Sequence, residues 1–194
     1  MKKIIALVVS MMMLLLAVGC GGGEEQSKKD GDKITMGFSQ IGAESEWRTA
    51  NTESVKQAAK DAGIELQFSD AQQKQENQIK AIRSFIAQGV DVIAFVPIVE
   101  TGWDTVLKEA KDAKIPVIIV DRDLKVEDDS LYVAKIGTNM LTEGQKGFEW
   151  LAKYANEKQL KPRDGGNKLN IVVLEGTVGS TAALGHTKVI KALG

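Results

Sequence analysis

The 194-residue chain contains one cysteine, one histidine and three prolines, and only 5% of it is aromatic. With a single cysteine there is no internal disulfide and no thiolate metal centre, and with His186 as the sole histidine there is no histidine cluster to hold a metal. No metal site and no cofactor are expected. Basic residues are never gathered into a block, which excludes nucleic acid as a partner, because phosphate binding needs clustered lysine and arginine. There is no G-x-S-x-G elbow and no carboxylate pair marked by its spacing, so catalysis has little to rest on and an enzyme is the weakest class. Stability has to come from a packed core. At 43% hydrophobic residues, the length suits one domain of ordinary size rather than two complete ones.

The one cysteine has an informative position. Lys2 and Lys3 precede a nearly unbroken apolar run at 4–18, which ends in Ala17-Val18-Gly19-Cys20. A basic start, a short apolar stretch and small closing residues are the pattern of a secretory signal. The run is too short for a membrane-spanning helix. Ala-Val-Gly-Cys is similar to a bacterial lipobox, although leucine is commoner at the place of Ala17, and Cys20 is then the lipidated mature N-terminus. The alternative is an ordinary signal peptide with an incidental cysteine. Without residues 1–19 the chain keeps 23 basic and 26 acidic residues, a formal charge near −3. Residues 20–32 continue as glycine, charge and serine, a flexible tether spanning roughly 20 Å on average.

Beyond the tether, short apolar runs alternate with segments of helical period. Strands are predicted at 34–38, 64–68, 90–96 and 115–120, and helices at 47–62, 75–88 and 103–113. Strands apolar on both faces and joined by helices of this length indicate a parallel sheet with right-handed crossovers, a doubly wound α/β fold. A weaker strand at 131–136 follows without a helix between, marking an edge or a domain boundary. Then come a helix at 139–154, a polar loop at 156–167, a strand at 169–174 and a helix at 182–193. The expected division is a signal peptide 1–19, the lipidated cysteine and tether 20–32, a first α/β lobe 33–137 and a partial second lobe 138–194.

In open parallel sheets, ligands bind beyond the carboxyl ends of the strands. After the first strand the chain reads Ser39-Gln40-Ile41-Gly42-Ala43-Glu44-Ser45-Glu46-Trp47-Arg48, which offers hydrogen-bonding groups, an aromatic face and a guanidinium. After the fourth comes Asp121-Arg122-Asp123. A carboxylate beside an arginine can fork hydrogen bonds to vicinal hydroxyls, and Trp47 can stack on the apolar face of a sugar ring. The plainer alternatives are a helix cap or surface ion pair for Asp121 and Arg122, and a core anchor for Trp47. Asp70, Gln72, Glu100 and Thr101, on the same rim, are either ligand contacts or loop caps. Gly176 to Thr181 has neither dinucleotide nor P-loop spacing, and reads as a tight strand-to-helix turn. Trp103 and Trp150 are expected in the core.

Taken in order, Gly37-Phe38-Ser39-Gln40, Glu44-Ser45-Glu46-Trp47-Arg48, the glutamine-rich run at 72–78 and Val120-Asp121-Arg122 resemble the sugar-binding proteins of bacterial ABC transporters. The likeness runs from about residue 33 to about 183. It implies the periplasmic binding protein type I fold, in which two Rossmann-like lobes close on a sugar and the closed form docks on a membrane permease. Carried over by position, Glu44, Ser45, Glu46, Trp47 and Arg48 line the first-lobe side of the cleft, and Arg122 with Asp121 holds ring hydroxyls. Asn139 reaches in from the second side. Where the relatives carry a sugar-contacting arginine, this chain has His186. Relatives also continue well past residue 194, so the second lobe is expected to be incomplete and the chain a fragment or a prematurely ended reading frame.

The resemblance implies an extracytoplasmic, lipid-anchored monomer that captures a galactofuranose- or galactose-like monosaccharide for an ABC importer permease. Two alternatives stay open: a module that presents its ligand to a membrane receptor or kinase, and a non-functional fragment. Sugar-responsive repressors share the fold but need a DNA-binding helix-turn-helix before the first strand, where this chain has Cys20 and an acidic tether.

Overall fold

The computed structural model describes residues 33–193. Cys20 and the segments expected to be a signal peptide (1–19) and a tether (20–32) lie outside the described residues. The order of elements is β1 (Thr35–Gln40), α1 (Glu46–Asp61), β2 (Glu65–Asp70), α2 (Gln75–Gln88), β3 (Val92–Phe95), α3 (Asp104–Asp112), β4 (Val117–Asp121), a 3-10 turn (Asp129–Leu131), β5 (Ala134–Gly137), α4 (Met140–Glu157) and α5 (Thr181–Leu193). The sheet runs β2-β1-β3-β4-β5 with every neighbouring pair parallel. This is the expected doubly wound α/β architecture.

Two-residue periodicity sorts the strand side chains to opposite faces. Ile93 and Phe95 of β3 and Val117 and Ile119 of β4 meet Ile82 and Phe85 of α2 and Val106 and Leu107 of α3. Phe38 and Ile41 pack with Ala94, Val96 and Ile98 on the other face, with Val55 of α1 against them. Gly37 in β1 is required by α2, since an added Cβ would stand 2.4 Å from the Phe85 ring. Trp103 is fully buried, its ring 4.8 Å from that of Phe95 and its Nε1 donating to the Val99 carbonyl at 2.8 Å. An indole buried with its N–H satisfied is an efficient core anchor.

Beyond β4 the expectations need correction. The predicted strand at 131–136 begins as the 3-10 turn and becomes β5 only at Ala134, on the edge of the sheet with all four of its residues exposed. The predicted strand at 169–174 does not form. Val172 and Leu174 are 89% and 94% exposed, and the described residues offer this run no partner strand with which to complete a ladder. Helix α4 has no buried residue, and Trp150, expected in the core, is 62% exposed and stacked on Tyr154 at 5.1 Å.

Candidate functional site

Arg48 is the centre of the strand-end rim. It lies in the first turn of α1, where the Ser45 hydroxyl caps the helix by accepting from the Arg48 amide at 3.1 Å. This cap satisfies one of the N–H groups that a helix start leaves open. The Arg48 guanidinium donates through Nε to Glu44 at 3.1 Å and through Nη2 to Asp121 at 2.8 Å. Arg48 is 3% exposed, and its remaining Nη1 is buried with no hydrogen-bond partner among the described residues. A buried unpartnered donor of a charged group is costly, and a ligand or water oxygen relieves it. Trp47, 57% exposed, lays its ring 4.6 Å from the Arg48 guanidinium carbon.

Asp121 closes β4 with φ of +63°, a left-handed conformation that non-glycine residues seldom adopt. The turn is tight, because the Arg122 amide donates back to the Val120 carbonyl at 2.8 Å. The partner of Asp121 across the ladder is Gly137, where an added Cβ would stand 2.4 Å from the Asp121 carbonyl oxygen. Glycine is therefore required at the crossover. Arg122 Nη1 donates to the Ile98 carbonyl at 3.2 Å. Burial and then the Arg48 charge push the Arg122 pKa down, opposed by Asp121 and Glu44. Arg122 remains a cation at neutral pH.

A cleft of about 380 Å³ joins these groups to the segment after the crossover, lined by Trp47, Arg48, Asp121 and Arg122 on one side and by Thr138, Met140, Glu143, Ala182 and His186 on the other. Four of the sequence candidates thus share one wall, with Glu44 bonded to Arg48 beside them. The others lie elsewhere. Ser39 and Gln40 are fully buried, and the Gln40 side chain is engaged by Asn51, Thr52 and the Ile41 amide. Ser45 and Glu46 line a separate groove along the start of α1. Asn139 caps α4, its Oδ1 accepting from the Leu141 and Thr142 amides at 3.1 Å each, and it borders the neighbouring hollow beside Lys135 and Asp123.

Glu143 was not singled out in the sequence. Its signal there was its place one helical turn beyond Asn139, which puts it on the first exposed turns of α4. His186 was noticed only as the residue standing where an arginine was expected. Of the remaining rim residues, Asp70 accepts from the Gln72 amide at 2.7 Å, a loop-capping contact. Thr101 offers its carbonyl to Gln75, and the Glu100 amide donates to Gly179. The 176–181 loop makes a tight turn into α5, with Ser180 accepting from the Ala183 amide, but without the strand that was expected to lead into it. Among the described residues no group of histidine, cysteine or carboxylate side chains could hold a metal ion, and no helix is long and apolar enough to cross a membrane.

The family described as "Periplasmic binding protein domain" matches residues 36–193. The galactofuranose-binding protein YtfQ of Escherichia coli (strain K12) is 49% identical over 155 residues, 80% of this chain and 46% of that protein. The binding-protein component of the arabinose ABC transporter from Shewanella sp. ANA-3, solved with α- and β-L-arabinofuranose, is 54% identical and has a TM-score of 0.73, covering 82% of this chain and 50% of that one. A Mycobacterium smegmatis structure in complex with β-D-fucofuranose is 49% identical with a TM-score of 0.73, covering 81% and 51%. The chain spans about half the length of the curated relatives it matches.

Proposed function

The chain belongs to the periplasmic binding protein family, and from that premise we propose that it is the extracytoplasmic sugar-binding component of an ABC importer, with a furanose-form monosaccharide as ligand. The observation that carries this reading is the buried Arg48, held by Glu44 and Asp121 at the mouth of the cleft with one nitrogen unpartnered. A sugar hydroxyl completes that guanidinium without adding charge to a site where positive and negative groups already balance. Asp121 and Arg122 hold neighbouring ring hydroxyls, and Trp47 covers the apolar face of the ring. The three similar proteins described above carry galactofuranose, arabinofuranose or fucofuranose in their descriptions, which supports the five-membered ring over any particular sugar.

In this proposal Glu44 acts by fixing Arg48, Ser45 and Asn139 by capping the helices that border the cleft, and Gln40 by tying β1 to α1. Residues 33–137 form the first lobe and 138–194 belong to the second. Cys20 anchors a monomer to the membrane through lipid. Isothermal titration calorimetry against galactofuranose, L-arabinose, D-galactose and D-ribose tests ligand capture, and an absence of heat with all four overturns it. Mass spectrometry of the membrane fraction tests the anchor, an unmodified N-terminal region counting against acylation at Cys20.

A further inference from the structure

The cleft wall opposite Arg48 and Arg122 carries one titratable pair, His186 on α5 and Glu143 on α4, with Nε2 3.8 Å from Oε2. The pair stands where the two helices cross closely. An added Cβ at Gly185 would lie 2.8 Å from the Met140 Cβ, and one at Gly144 would lie 3.1 Å from the His186 Cα. With no side chain to separate them there, the helices hold the imidazole against the carboxylate.

The charges around His186 come from every neighbouring element. Glu143 faces it from α4, Arg48 from α1, and Asp121 and Arg122 from the end of β4, with Glu44 held behind by Arg48. On its own side, Glu175 is engaged by the Thr187 hydroxyl, and Lys188 borders the adjoining hollow with Lys135 and Asp123. The lining carries two cations and two anions, and Glu44, bonded to Arg48, adds a third anion just behind it. Protonation adds a charge opposite two guanidiniums. It also turns the acceptor nitrogen of the ring into a second donor.

Resting on the function proposed above, we propose that Glu143 positions His186 and that the two form a proton-operated latch on sugar capture. The neutral imidazole offers an acceptor to a hydroxyl of an uncharged sugar. The imidazolium instead pairs with Glu143 and leaves that hydroxyl without an acceptor. Neither residue touches the hydrogen bonds that hold Arg48, so the latch adjusts affinity without dismantling the opposite wall.

Calorimetry of the full chain with L-arabinose tests this at about pH 8 and about pH 5, on either side of the ordinary histidine range. Affinity is expected to fall about tenfold on acidification, the effect of losing one hydrogen bond to the sugar. In His186→Gln, which keeps a donor and an acceptor without titrating, affinity is expected to be the same at both pH values. Glu143→Gln, which keeps the side chain's shape without its charge, gives an independent reading, and the pH dependence of affinity is expected to weaken in it. Sugar binding with no pH dependence in the wild-type chain overturns the latch and leaves the proposed function standing. Failure of L-arabinose and the other three sugars at both pH values overturns the function and the latch with it. An unchanged pH dependence in Glu143→Gln removes Glu143 from the device.

Discussion

The two parts of the described chain treat their apolar residues in opposite ways. Between β1 and β4 the large side chains fill both faces of a parallel sheet, and Trp103, Phe95, Ile93 and Phe38 are almost wholly buried. After β5, Trp150, Ile171, Val172 and Leu174 are exposed, and α4 packs chiefly on α5 through the glycines at their crossing. A helix pair without a sheet beneath it has one layer where a domain needs two. The candidate cleft lies across this divide. One of its walls rests on a complete core and the other on two helices in contact, so equal substitutions on the two sides should have unequal consequences.

The matched tryptophans give the largest expected contrast. Trp103→Ala removes a buried ring, its contact with Phe95 and its hydrogen bond to Val99, and should cost about 3–5 kcal/mol in urea denaturation. Trp150→Ala removes a mostly exposed ring stacked on Tyr154 and should cost less than about 1 kcal/mol. Equal losses would mean that the second region is packed as tightly as the first. Amide exchange sharpens the same contrast, with α4 expected to exchange faster than β3 and α3.

Arg48 lies on the well-supported wall, and its removal affects folding and binding together. Arg48→Ala deletes two charged hydrogen bonds and leaves Glu44 and Asp121 without their cation, an expected loss of about 2–3 kcal/mol in thermal or urea unfolding. Sugar affinity should fall by at least about tenfold in the same variant. A variant that kept its stability but lost its affinity would limit Arg48 to ligand contact, and the reverse would limit it to structure.

The same divide accounts for what the sequence reveals. Helix α2 was legible to its last residue, because Ile79, Ile82, Phe85 and Ile86 recur with helical period and Gly89 ends the helix in a left-handed conformation. Arg48, Trp47, Asp121 and Arg122 were legible as site candidates because parallel topology sends the ends of β1 and β4 to one rim. Gln40 and Asn139 show why sequence alone does not assign a role, since a polar residue at a strand end or a helix start serves a ligand and a neighbouring backbone equally well on paper. The 169–174 run shows the limit of pattern reading. Its apolar side chains specify a strand, but a strand exists only with a partner beside it. Glu143 and His186 come together through a helix crossing whose cause is two glycines 41 positions apart, Gly144 and Gly185, and no local period announces that.

Gly185→Ala tests the weaker wall directly. Its methyl group would collide with Met140 and force α4 and α5 apart, an overpacking cost of about 1–3 kcal/mol in local stability. The expected reading is a displaced His186 resonance and lower sugar affinity, with Trp103 emission unchanged. If Trp103 emission moves as well, the two regions unfold as one unit and the contrast drawn above is too sharp.

The smallest expected effect concerns the turn that leads into β5. Asp128 accepts from the Ser130 hydroxyl and amide and pairs with Lys111, and these contacts, the hydroxyl first, lower its pKa to about 2. Because the folded value is below the ordinary carboxylate value, the contribution is fully present above about pH 4 and is lost as pH falls through about 2. The group is fully exposed, so solvent screening keeps the effect local. Asp164, in the second region, is also lowered, by the Gly166 amide first and by Asn170, with no cation attached. Carboxyl NMR titration should therefore place the Asp128 midpoint below that of Asp164, and Lys111→Ala should raise only the former. A midpoint for Asp128 at the ordinary value would mean that the turn at 129–131 is loosely held, moving the boundary of the well-packed region back to the end of β4.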